Sequence, residues 1–262
     1  LNKNEITDRI KQTLRDLHSR LVKEEIINFF KTEEQDLDDI LKMFVRVNSG
    51  GTVLSKTDLL FSTIVANWED GREEIESFLT TINKKGYGFN FNNDFVMRAC
   101  LMLTDSPVLF KVDSFHTTNV CKVKNNWKDI KGAILKSIDL LVEFGLNGST
   151  LSSQNSIIPI SYYIVKGGEL TNDDKKEIKK YLFHALLKNI YSGQGDAVLN
   201  GFRNSLRSER EGNDIYQLKN INFNFNSLAD DKLPSNKTLK ITDDDINEFM
   251  EYKKGTYTFL IL

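Results

Sequence analysis

Apolar residues recur at helical spacing along most of this chain. Near its start, Ile6, Ile10, Leu14, Leu17 and Leu21 are followed by Ile26, Phe29 and Phe30, which predicts helix across 5–30. "DLDDILKMFVRV" then places Leu37, Ile40, Leu41, Phe44 and Val45 on one face, with acids in the first turn where the helix dipole favours them. That helix stops at Asn48-Ser49-Gly50-Gly51, residues that tolerate left-handed backbone angles. Ser55, with Asp58 three residues on, opens the next helix, "KTDLLFSTIVANW". Further helices are predicted at about 70–84, 92–104, 122–144, 153–166, 172–191, 195–208 and 242–254. Thr171 with Asp174, and Thr242 with Asp245, have the spacing of N-terminal caps. Pro159 either sits in the first turn of its helix or kinks it.

Two stretches break this period. "YGFNFNNDF" (87–95) and "IYQLKNINFNFNSL" (215–228) alternate apolar and polar residues, as a short strand or extended segment would, and a polar loop, "ADDKLPSNKTLKI", follows the second. The predicted fold class is mainly α: a multi-helix, bundle-like domain with at most short strands or extended segments. The expected division is a helical domain over 1–210, with an extended segment and C-terminal helix over 211–262 packed on the same unit. Leu1 opens in mid-helix pattern and "KKGTYTFLIL" stops on an apolar run, so the expectation is a piece of a longer chain.

Composition narrows the partners only slightly. With 262 residues, 40% apolar and 27% charged, the chain reads as an ordinary globular protein. A net charge of −2 gives no global reason to expect nucleic acid, but leaves room for a local basic face. Cys100 and Cys121 form neither a disulfide framework nor a metal-ligand spacing, which points to a reducing cytoplasm. The longest apolar run, "IIPISYYIV" (157–165), is far short of the roughly 20 residues that span a bilayer, so no membrane partner is expected.

His18, His116 and His184 are too far apart to make a ligand pair, and His184 in "YLFHALL" reads as a packed histidine. The acids of "EDGREE" and "DDD" read as solvated faces or helix starts. "SGQGDAV" (192–198) is open to two readings, an anion held at a helix N-terminus or a tight turn between helices. The corner at 45–55 is open in the same way. Its glycines let backbone N–H groups converge, and Arg46 adds a donor fork suited to phosphate, yet a C-capped bend accounts for the same residues. Residues 110–136 carry Lys111, Lys122, Lys124, Lys128, Lys131 and Lys136 among Phe115 and Trp127. These either follow a phosphate backbone or form the wet face of a helix. Arg203, Arg207 and Arg210 form a smaller cluster with the same two readings.

"MFVRVNSGGTVLSKTDLLFS" (43–62) resembles a signature of the GmrSD-type restriction endonuclease N-terminal domain family: aromatic-x-Arg-x-Asn-small-Gly, then Leu-Ser and Asp-Leu-Leu. Phe44, Arg46, Asn48, Gly50, Gly51, Leu54, Ser55, Asp58, Leu59 and Leu60 fit it. The likeness extends through "FNNDFVMRACLML", "NNWKDI", "NSIIPISYYI" and "EYKKGTYTFLIL", which covers most of the chain. The family's Asp-Gly-Gln-Gln-Arg hydrolysis motif and its HNH nuclease segment are not in this sequence. The resemblance therefore implies the helical middle of a prokaryotic DNA-defence nuclease, inactive alone. It places a nucleoside triphosphate and a divalent metal in the parent protein and no cofactor in this portion. It makes Arg46, Asn48, Gly50 and Gly51 a loop contacting phosphate or the neighbouring nucleotide-hydrolysis domain. It also makes DNA a partner of the parent protein, for which Lys122, Lys124, Lys128, Lys131, Arg203 and Arg207 are the candidate backbone contacts by their own basic spacing, and a homo-oligomer stays open. The alternative is a protein-interaction module with no direct nucleic-acid role.

Overall fold

The computed structural model describes residues 3–23, 31, 33, 40, 43, 56–108, 112–208, 216–230 and 233–251. They fall into two compact units, Leu1–Arg46 and Val47–Leu262. Apart from residues 31, 33, 40 and 43, the described part of the first is α1 (Lys3–His18), continued by a π-helical turn at Ser19–Lys23. Along it Ile10, Leu14, Leu17, Leu21 and Val22 are all more than half exposed.

The second unit is mainly α. Its helices are α2 (Lys56–Asn67), α3 (Gly71–Asn83), α4 (Asn93–Leu103), α5 (Thr117–Glu143), α6 (Ile158–Val165), α7 (Asn172–Leu187), α8 (Gly195–Leu206), α9 (Phe225–Asp230) and α10 (Asp243–Met250). Among the described residues the only β feature is an isolated antiparallel bridge between Arg207 and Leu218. The mainly α expectation holds, down to the scarcity of strand.

The longest apolar run of the sequence becomes the centre. In α6 every residue from Ile158 to Tyr163 is buried, because a helix that is apolar all round stabilises only when neighbours surround it. It packs on α4, α5 and α8. Pro159 occupies its first turn, where a missing N–H costs nothing, so the kink reading is set aside. Ser137 and Ser161, both buried, meet at 2.8 Å across the α5–α6 contact, and each also donates to, or lies against, a carbonyl one turn back in its own helix.

Four consecutive helices end alike. After α4, α5, α6 and α7, the second residue past the helix takes positive φ: Asp105 (55°), Gly145 (80°), Gly167 (89°) and Asn189 (47°). In each case the next N–H returns to the carbonyl five residues back: Ser106 to Leu101, Leu146 to Leu141, Gly168 to Tyr163 and Ile190 to Ala185. This is the Schellman closure, which satisfies carbonyls that the helix leaves open. Its left-handed residue is usually Gly or Asn; Asp105 is the exception.

Of the three capping signals read from sequence, that of Ser55 with Asp58 lies outside the described residues and the other two are present. Thr171 and Asp174 bond reciprocally at the start of α7, as do Thr242 and Asp245 at the start of α10. Residues 225–230, in the stretch read as extended alternation, are helical: Phe225, Leu228 and Ala229 turn inward from α9 onto α7 and α8. Phe223, Leu233 and Leu239 join the same core as α4 to α8. Lys188 pairs with Asp245, and His184 donates through Nδ1 to Leu239 O at 2.8 Å. The histidine is thus a half-buried packing residue set edge-on to Phe225.

Cys100 and Cys121 are both free thiols in different surroundings. Cys100 lines a void of about 10 Å³ with Trp68, Met97 and Phe115, room for one water at most. Burial pushes its thiol up to about 12, so it is neutral at pH 7, whereas Cys121 lies exposed on α5. A thiol reagent is expected to titrate one equivalent at once in the native protein and the second only on unfolding. Two fast equivalents would contradict this packing.

Candidate functional site

Arg46, Asn48, Gly50 and Gly51 lie outside the described residues. The six basic candidates lie inside them and separate into three groups.

Lys122, Lys124 and Lys128 sit in the first half of α5, all exposed. No ion pair to any of them is found among the described residues. Lys124 and Lys128 are one turn apart on one side, while Lys122 lies across the helix. Trp127, Ile130, Val123 and Val120 form the buried face, and the lysines lie on the exposed remainder of the helix, Lys124 and Lys128 on one flank and Lys122 on the other. The first turns of α5, α6 and α9 carry no acid, whereas those of α3, α4, α7, α8 and α10 each carry one of their own. His116, Thr117 and Thr118, at the start of α5, are exposed, so the positive end of a 27-residue dipole faces solvent beside the lysines.

Lys131 is committed elsewhere. Its Nζ and the Trp127 indole N–H both donate to Glu74 Oε2, each at 2.8 Å. Those two hydrogen bonds, that from Lys131 the larger, hold the Glu74 carboxyl below its ordinary range. Trp127 is further fixed edge-on between Trp68 and Phe78, with ring centres 5.4 and 5.5 Å away. Lys131 therefore ties α5 to α3 instead of projecting with the other three.

Arg203 is corrected outright. Helical spacing grouped it with Arg207 and Arg210, the last outside the described residues, as a cluster facing phosphate or solvent, but it is 6% exposed, and its guanidinium bonds inward to Ser106 O (2.5 Å) and Asn200 Oδ1 (2.8 Å). Burial first, and then the neighbouring charge of Arg207, lowers its pKa below the usual value. An interior guanidinium cannot reach a DNA backbone without unfolding α8. The signal was in the sequence: Leu199, Phe202, Arg203 and Leu206 share one i, i+3, i+4, i+7 face, and that face is buried.

Arg207 is mostly buried too, and belongs to an ion-pair node built on Asp105. Asp105 Oδ1 accepts from Tyr162 O–H at 2.7 Å and from Arg207 at 3.3 Å; Oδ2 accepts from Lys166 at 2.5 Å. A carboxylate just past a helix C-terminus faces the negative end of the dipole, and a non-glycine residue at positive φ is strained. Two cations and a hydroxyl offset both penalties. Burial, followed by the Asp105 charge, pushes the Tyr162 hydroxyl well above its ordinary range, so it stays a donor. Arg207 also stacks over Tyr216, 3.9 Å from the ring centre. The node fastens α4, α6 and α8 together, and no local pattern announces it beyond an Asp two residues past an apolar helix.

"SGQGDAV" proves to be a turn. Gly193 has φ +75°, Gln194 N–H bonds to Ser192 O, and α8 begins at Gly195. Asp196, in the first turn, faces the dipole's positive end and accepts from Arg98 Nε at 2.7 Å.

Among the described residues no three His, Cys, Asp or Glu side chains come together as a metal site, and no helix is long and apolar enough to cross a membrane. No protein-family model matches the chain, and no curated protein matches it.

Proposed function

We propose that this chain is the helical scaffold of a GmrSD-like prokaryotic restriction protein of the cytoplasm, and that α5 offers it a contact to the DNA backbone. The observation that carries the reading is three exposed lysines of α5, Lys122, Lys124 and Lys128, with no ion pair among the described residues, on a helix with no acid in its first turn. Unpaired cations near a positive dipole end attract phosphate and cost no internal ion pair to recruit. The signature at 43–62 supplies the family expectation, with Arg46, Asn48, Gly50 and Gly51 set against phosphate or a nucleotide-hydrolysing neighbour. In this proposal the nucleoside triphosphate, the divalent metal and the cleavage chemistry belong to other parts of such a protein. The direct experiment incubates the purified chain with duplex DNA, nucleotide and Mg²⁺ or Mn²⁺. Binding without strand cleavage is expected; metal-dependent cleavage would overturn the assignment as scaffold.

A second reading, a protein-interaction module with no nucleic-acid role, draws on the exposed apolar row of α1. It requires that Lys122, Lys124 and Lys128 be indifferent to DNA.

A further inference from the structure

We infer that Tyr87, at the tip of the turn that follows α3, is a base-stacking anchor for a single strand of nucleic acid. Tyr87 is 96% exposed, more than any other large apolar side chain among the described residues. The backbone beneath it is nevertheless fixed. Gly86 and Gly88 on either side take positive φ, 54° and 91°, and Gly88 N–H closes the turn on Lys85 O at 2.9 Å. Phe89 N–H returns to Asn83 O at 3.0 Å. Asn83 Oδ1 accepts from Phe91 N–H at 2.7 Å, and its Nδ2 donates to Phe91 O at 2.9 Å. From the other side, Gly148 N–H donates to Gly88 O at 2.8 Å and ties the turn to the loop that follows α5. Phe89 and Phe91, directly after the turn, are buried in the core. A held backbone thus presents a ring that is almost wholly in water, so a partner stacking on it has little chain to order.

The surroundings choose the occupant. Neither 84–92 nor 144–151, the two segments joined at Gly88 and Gly148, contains an acid. The acids of α5 beside them are already paired, Asp139 with Lys85 at 2.6 Å and Glu143 with Lys175 at 2.8 Å. Lys84, at the end of α3, and Lys136, three residues before Asp139, are exposed and have no ion pair among the described residues. The balance at this end of α5 is positive and favours an anion. A protein hot spot would need the aromatic ring set in an apolar patch that excludes water. Here the exposed residues of the two segments are, besides Tyr87, Lys84, Gly86, Asn90, Asn92, Gly145 and Ser149. The one exposed apolar neighbour described is Val142, 38% exposed, against which Gly86 lies. A flat ring open to solvent with lysines beside it is what an unpaired strand uses, its bases stacking and its phosphates meeting the cations. In a duplex the bases are stacked on one another and offer such a ring no face.

The inference shares with the duplex contact proposed for α5 only the class of partner, and its test is read separately. The complete 262-residue chain is titrated, by fluorescence anisotropy at low salt, into a labelled oligothymidylate of about twelve nucleotides and into an abasic strand of the same length and charge. The oligothymidylate is expected to bind about tenfold more tightly than the abasic strand, and Tyr87→Ala should erase that difference. Tyr87→Phe should keep it, because stacking uses the ring and not the hydroxyl. Lys84→Ala with Lys136→Ala should weaken both strands alike and flatten the salt slope by about 1.4, the share of two single-strand phosphates. All of these positions are exposed, so thermal unfolding followed by Trp68 and Trp127 fluorescence should match the native chain. The preference for bases should survive Lys122→Ala with Lys124→Ala and Lys128→Ala, which makes loss of duplex binding and loss of stacking separate results. Equal affinity of the native chain for the two strands, binding of neither, or an unchanged preference in Tyr87→Ala overturns the inference. So does tighter binding to phosphatidylserine vesicles than to the oligothymidylate.

Discussion

Replacing Asp174 with alanine is expected to destabilise the second unit by about 4 kcal/mol, on the scale of removing one member of a buried charged network. For a unit of this size that corresponds to a fall in Tm of about 10 °C. Asp174 is 1% exposed, and both of its oxygens are in use. Oδ2 accepts from the Thr171 hydroxyl (2.5 Å) and the Thr171 N–H (3.0 Å), closing the cap of α7. Oδ1 accepts from the Phe223 N–H at 2.8 Å and, more weakly, from Asn222 at 3.4 Å. One side chain thus caps a helix and anchors the segment leading into α9, so alanine orphans donors on both. Asp174→Asn keeps the shape but must turn an amide NH₂ toward one set of donors; a smaller loss, roughly half, is expected. The pH dependence separates the two effects. Burial alone would push the Asp174 carboxyl up, but the hydrogen bonds from Thr171, Phe223 and Asn222 outweigh it, leaving the folded value below the ordinary one. Its stabilisation is therefore complete above the unfolded carboxylate range, near pH 4, and fades as pH falls through the lower folded value. Denaturant midpoints should fall further between neutral and acidic pH in the native chain than in the asparagine variant, which keeps the acid-dependent loss from Glu74. A variant as stable as the native chain would refute the anchoring role.

Gly168→Ala is expected to cost about 3 kcal/mol, at the upper end of overpacking effects. A Cβ there would lie 2.3 to 2.5 Å from three ring carbons of Tyr163, which is fully buried. The ring has no room to withdraw. Its hydroxyl donates to Ile221 O at 2.5 Å, and the ring stands edge-on to Phe223, 5.2 Å away. Gly167, one residue earlier, has open space around it and is glycine for another reason, its φ of +89°. Gly132 supplies a control of opposite sign. It lies inside α5 with nothing within 4 Å of a built Cβ, so Gly132→Ala should stabilise by about 0.5–1 kcal/mol. Thermal unfolding of the two alanine variants side by side checks both, and equal effects would contradict the packing described.

These two effects show what was legible beforehand and what was not. The Thr171–Asp174 cap is a local pattern, three residues apart, and was readable at once. That the same carboxylate also holds Phe223, 49 residues away, follows from packing, which no local period encodes. Residues 215–228 alternated like an extended segment, and Phe223 and Phe225 do both face the core, although from Phe225 onward the stretch is helix. Arg203 was misplaced because its charge was weighed above its position on an apolar face. Asp105 drew no notice, since its role depends on Lys166 and Arg207 arriving from other helices. For the lysines of α5, sequence supplied the charge, and the fold then removed Lys131 from the group by pairing it with Glu74.

The central claim, that α5 presents a phosphate-binding face, is tested most directly by titrating duplex DNA with the chain across a range of salt concentrations. If Lys122, Lys124 and Lys128 each neutralise one phosphate, log K should fall against log salt with a slope of about −3. The variant with all three changed to alanine, at exposed positions outside the core, should fold normally and lose both the affinity and the slope. Identical DNA binding by the native chain and the triple variant, or no binding by either, would contradict the account.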